Sequence, residues 1–199
     1  MINDVILLIG YAILGAGIKY IDMAYDDNMF NKTTANIIAL ISAAIMGALI
    51  ITDQTSAVIF MAIITAAILT GKTDNDTFKI CATGMILTYL LSRMTLTGDD
   101  FITTENAIAL TTLIISGVLD EKGNDWYDRK RNALIKPIWI TIQEEGIIEK
   151  FFKHRGLMKI TVLWLCIIGY FNFIYFIAFI LFDLAYDLVN FIGKNMIAD

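Results

Sequence analysis

The chain's 199 residues are 57% hydrophobic and 18% charged, with a mean hydropathy of +0.67, whereas soluble domains carry about a quarter charged residues. Its charges fall in blocks between apolar runs, which excludes an ordinary soluble domain and predicts an all-α integral membrane protein. A formal net charge of -5 with no dominant basic face excludes a nucleic-acid binder.

The first apolar run covers residues 4–20. No basic segment precedes it, and Lys19 is the first cation, so it is expected to be a retained span rather than a secretory signal. It leads into Asp22-Met23-Ala24-Tyr25-Asp26-Asp27. On a helix continuing from the span, Asp22 and Asp26 share a face and repel. A hard divalent cation would compensate them, and so would the neighbouring Lys19 and Lys32.

Runs two and three, 34–52 and 55–71, are divided by Thr52-Asp53-Gln54-Thr55, a polar turn suited to a helical hairpin. After them comes Gly71-Lys72-Thr73-Asp74-Asn75-Asp76, which lacks the spacing of a P-loop. Lys72 is a candidate phosphate contact there, and a plain polar turn explains the same residues. A fourth run covers 79–97 and a shorter fifth covers 104–119. Most of the five approach the roughly 20 residues needed to cross about 30 Å of hydrocarbon as a helix. Cys81 and Cys166 stand alone in apolar segments and read as buried small hydrophobes.

Residues 120–156 form a long polar connection carrying eight Lys or Arg residues, Lys122 to Arg155. Ile138 to Phe152 within it has apolar residues at helical spacing, fitting either a helix in the interface plane or one packed on neighbouring loops. The last run, 157–192, is too long for one straight crossing. It is either one tilted helix or a hairpin bent near Gly169-Tyr170-Phe171-Asn172. The chain is thus expected to be one helical bundle of six or seven spans covering 1–199. By the positive-inside rule the cation-rich connections, 120–156 included, lie in the cytoplasm and the N-terminus outside.

In Asn124-Asp125-Trp126-Tyr127-Asp128-Arg129, helical spacing aligns Glu121, Asp125 and Asp128, and Asn124 with Asp128. Arg129 and Arg131 follow, and arginine suits bidentate phosphate recognition. This run resembles the first Asp-rich motif, N-D-x-x-D, of the UbiA-type membrane prenyltransferases, especially its N-D-W-Y-D-R form. Asn132 departs from the extended motif, which has a further acid there. The resemblance implies Mg²⁺ held against a prenyl diphosphate, with Asn124, Asp125 and Asp128 as ligands. It also implies a second acidic cluster, either Asp22, Asp26 and Asp27 or Asp183 and Asp187. Asp183-Leu184-Ala185-Tyr186-Asp187 repeats the pattern of Asp22-Met23-Ala24-Tyr25-Asp26, which fits duplication or chance.

Three functions are therefore expected to compete. The first is a Mg²⁺-dependent membrane enzyme acting on a prenyl diphosphate or other phosphorylated lipid, with Lys72, Arg129 and Arg131 on the phosphates. The second is a non-catalytic membrane subunit or scaffold whose basic loop meets anionic lipid. The third is a small transporter, which the uncharged centres of the five clear spans disfavour. Asp183 and Asp187 would become intramembrane in the hairpin topology, so that objection does not reach them. His154, beside Lys153 and Arg155, suits a basic headgroup patch.

Overall fold

A computed structural model of the chain describes residues 3–72, 83, 104–134 and 146–198, and among these every regular element is an α-helix. The helices are α1 (Asp4–Tyr25), α2 (Lys32–Thr52), α3 (Gln54–Leu69), α4 (Thr104–Leu134), α5 (Ile147–Lys153), α6 (Gly156–Ile167) and α7 (Phe173–Ala198). Three are long and apolar enough to cross a membrane: α1, α2 and α7 over Phe173–Asn195. α3 and α6 are apolar but shorter. The expected span at 79–97 and the cluster Asp74-Asn75-Asp76 lie outside the described residues.

Side-chain caps set the helix starts. Asn3 accepts the Val5 N–H, and Asn31 accepts those of Thr33 and Thr34. The expected turn between the second and third runs shrinks to one extended residue, Asp53, whose carboxylate accepts the Ser56 N–H at 2.7 Å. Its other oxygen accepts the Tyr175 hydroxyl at 2.6 Å, tying the α2–α3 turn to the start of α7. The fifth run behaves differently from its expected limits. Helix α4 does not stop at 119 but runs on through the acidic segment to Leu134.

Of the two readings of 157–192, the structure has the hairpin. α6 ends at Ile167, and Gly169 takes a left-handed φ of 83° that a side chain would oppose. Asn172 accepts the Ile174 N–H and opens α7. The return is antiparallel, since Lys159 on α6 meets Asp183 on α7.

α1 and α7 pack side by side in parallel, with Gly15 against Phe182 and Met23 against Gly193. At Gly15 a Cβ would sit 1.9 Å from the Phe182 carbonyl oxygen, so only glycine permits this approach. Tyr11, Leu14, Phe60, Leu113, Val162 and Phe179 fill the interior between the helices. The bundle therefore has two ends. One carries Asp53, Tyr175 and the Gly169 turn; the other carries the C-terminal ends of α1 and α3, the acidic part of α4, and the start of α6.

Candidate functional site

The charged end is organised by a carboxylate that caps a neighbouring helix. Asp120 on α4 is 2% exposed and accepts the N–H groups of Leu157 and Met158, at 3.0 and 2.7 Å, in the first turn of α6. Those N–H groups have no partner within their own helix, and the helix dipole favours an anion there. Burial pushes the Asp120 carboxyl up, while the two N–H bonds and Arg155 act the other way. Next to this bond, Arg155, the residue before α6, has a φ of 48°, a left-handed conformation uncommon for any residue but glycine.

So held, Arg155 reaches Glu121 at 3.0 Å and lies over the Tyr186 ring at 5.5 Å from its centre. Lys19 lies over the same ring at 5.2 Å and pairs with Asp22 at 2.7 Å. The Tyr186 hydroxyl donates to Asp22 at 3.4 Å. Two further pairs cross from the start of α6 to α7: Lys159 with Asp183 at 2.5 Å, and His154 with Asp187 at 3.5 Å.

Between these groups lies a polar cleft of about 260 Å³. Its walls are Lys19 of α1, Asn124, Tyr127 and Asp128 of α4, His154 and Arg155 before α6, and Asp183, Tyr186, Asp187, Asn190 and Lys194 of α7. Among the described residues, no aliphatic side chain lines it. It suits a charged or hydrogen-bonding ligand and not a hydrocarbon chain.

The residues expected from the sequence divide into three sets. Asn124 and Asp128 line the cleft together with Asp183 and Asp187, the second of the two clusters that the resemblance allowed. Asp22 borders it through Lys19 and Tyr186. Asp125 turns away to pair with Lys72, and Arg129 donates to the Asp125 carbonyl at 3.2 Å, so these three sit on the flank. Burial opposes the charge of Lys72, and Asp125 raises it above the usual lysine range. Asp26 and Asp27 are exposed beyond the end of α1 and do not line the cleft. Though exposed, Asp26 is held above the usual carboxylate range by partial desolvation, then by its hydrogen bond to Asp22 and the charges of Asp22 and Asp27. The Arg131 side chain and residues 74–76 lie outside the described set.

Among the described residues, no three His, Cys, Asp or Glu side chains converge as a ready metal-binding group. Five acids instead pair with a lysine or arginine, Asp22, Glu121, Asp125, Glu149 and Asp183, and Asp187 faces the His154 ring. Sequence reasoning did not single out Lys19, Arg155, Tyr186, Asn190 or Lys194 as site residues. The pointer to α7 was the recurrence of the Asp-x-Ala-Tyr-Asp pattern, which put an acidic pair inside an otherwise apolar run. No protein family, curated protein or solved structure matches the chain.

Proposed function

We propose that the protein is an integral membrane protein that binds a phosphate-bearing lipid, such as a prenyl diphosphate, with the phosphate group in the cleft between α1, α4, α7 and the residues leading into α6. The supporting observation is that Asn124 and Asp128 share this cleft with Asp183 and Asp187. These are two of the three ligand positions and one of the two second clusters that the UbiA-type resemblance implies. Arg155, Lys19 and Lys194 supply the positive charge for phosphate oxygens, in place of the Arg129 and Lys72 expected from the sequence.

Mg²⁺ suits this donor set. It typically uses one or two protein carboxylates, with phosphate oxygens and water completing its shell, so a group of three acids is not required. Asp128 and Asn124, four residues apart on α4, are the residues that would hold it. When bound it would neutralise phosphate charge as the leaving group departs. The chain's own residues do the rest. Arg155 and Lys19 orient the headgroup, and the apolar outer faces of α1 and α7 accommodate the lipid chain. The cleft end faces the cytoplasm in this reading, as the distribution of Lys and Arg favours.

The test is binding of a prenyl diphosphate to the purified protein with and without Mg²⁺. Asp128→Ala and Arg155→Met are each expected to weaken Mg²⁺-dependent binding by about tenfold or more, a loss of roughly 1.4 kcal/mol. Asp26→Ala, outside the cleft, is expected to leave it unchanged. Equal binding by all four proteins, or none by the unaltered chain, discards the proposal. A second reading is a non-catalytic membrane subunit, favoured by the pairing of each of the five acids with a cation. It predicts no binding of the diphosphate and loss of solubility or assembly when Arg155 is replaced.

A further inference from the structure

The cleft is not confined to the surface of the bundle. Its position along α7 can be measured from Tyr175, which donates to Asp53 at the opposite end. At about 1.5 Å per helical residue, Asp183 lies only about 12 Å beyond Tyr175, and Lys194 about 29 Å. The cleft therefore extends along roughly 16 Å of α7, from Lys194 at its mouth to Asp183 at its floor. A hydrocarbon core is about 30 Å thick, so the floor lies near the middle of a membrane spanned by α7.

The shortness of α6 explains how polar residues reach that depth. Its 12 residues span about 18 Å, so the start of α6 stands only that far from the Gly169 turn, short of a full crossing. His154 and Arg155 are carried down with it, fixed by the buried Asp120 bond. At the floor Lys159 meets Asp183, with side chains 19% and 24% exposed. Beyond this pair the wall becomes apolar, with Ala178, Phe179 and Leu14 all buried. A second polar group, Asp53 with Tyr175, Ser56 and Tyr11, begins on the far side.

We propose that the cleft is a one-sided aqueous vestibule in the membrane, open at the Lys194 end and closed at mid-depth by the Lys159–Asp183 pair and the apolar layer behind it. It admits water and small hydrated ions. Ionisable residues at such depth are costly unless paired or hydrated, and the arrangement supplies both. About 260 Å³ is room for several waters, each occupying about 30 Å³ in the liquid. This inference rests on the membrane reading of α1, α2 and α7, but not on which lipid, if any, occupies the cleft.

The experiment uses single cysteines in a full-length chain with Cys81 and Cys166 replaced by serine, reconstituted in vesicles of known orientation. A charged, membrane-impermeant thiol reagent is applied to one face at a time. Asn190→Cys, Asp187→Cys and Asp183→Cys are expected to react from the Lys194 face only. Each should react about tenfold or more faster than Ala178→Cys, which is reached only through local opening. Gln54→Cys, at the opposite turn, marks the other face and should react only there. Failure of Asn190→Cys and Asp187→Cys to react from either face, or reaction from the Gln54 face, overturns the vestibule. Asn190→Cys and Asp187→Cys decide the outcome if Asp183→Cys does not fold. Alkaline carbonate extraction of the unaltered chain separates the two failures. A chain stripped from the vesicles sinks the membrane reading, whereas one retained but unlabelled sinks the vestibule alone.

Discussion

Asp120 shows how much a single side chain can decide at this site. Asp120→Ala leaves two N–H groups at the start of α6 without their acceptor, and is expected to cost about 1–3 kcal/mol. Asp120→Asn keeps an acceptor oxygen but loses the charge, and should cost less. Thermal unfolding of detergent-purified variants would order them, and an Asp120→Ala protein as stable as the parent would refute the capping role. Asp26 makes a separate prediction about pH. Its carboxyl is raised above the unfolded value, so the folded chain takes up a proton at higher pH than the unfolded chain does. The repulsion is therefore absent below the unfolded carboxylate range and appears as pH rises through the folded value. Asp26→Asn should raise stability at neutral pH and flatten the rise seen on mild acidification. The sequence made the Asp22–Asp26 repulsion legible because four-residue spacing on a helix is local. It did not reveal Asp120, since a carboxylate that caps a helix 37 positions later leaves no local signature.

At the level of elements, the close pair is α1 with α7. Gly15→Val would push a branched side chain into the Phe182 carbonyl, and overpacking of this kind costs about 1–3 kcal/mol or more. Loss of the folded species on size-exclusion chromatography, with Gly47→Val as a control that meets open space, would check this. Asp53→Ala removes both the α3 cap and the Tyr175 bond, and should cost about 1–2 kcal/mol from the cap alone. The α2–α3 turn and the bend before α7 were readable, because Asp53 and Gly169 carry ordinary turn chemistry. The extension of α4 past 119 was less so. Polar residues there resemble a loop by composition, but they continue the helix because α5 and the start of α6 pack along it.

For the whole molecule, apolar runs spoke clearly for a membrane protein, and three described helices meet that expectation in length and hydropathy. Their number and the identity of the cleft residues were harder to read. Which acids meet depends on α1 lying parallel to α7 and on α6 being only 12 residues long, and both are properties of packing between distant segments. The positive-inside argument predicts that a protease acting from the cytoplasmic side cleaves between Lys130 and Glu145 in sealed vesicles. Cleavage only from the opposite side would invert the orientation.

The pairing of the earliest helix with the latest has a consequence for biogenesis. While the ribosome is still translating residues beyond Lys153, α1 lacks the companion that Gly15 is shaped to receive. Lys19 and Asp22 have each other from the outset, being three residues apart, so that end of α1 is provided for. Asp183 and Asp187 have no such local cation. Asp183 must find Lys159 on the preceding hairpin arm, and Asp187 the His154 ring just before that arm, as the nascent chain emerges. A chain halted before α7 would leave the groove along α1 open to lipid or to a quality-control protease, so degradation of C-terminally truncated forms should be rapid.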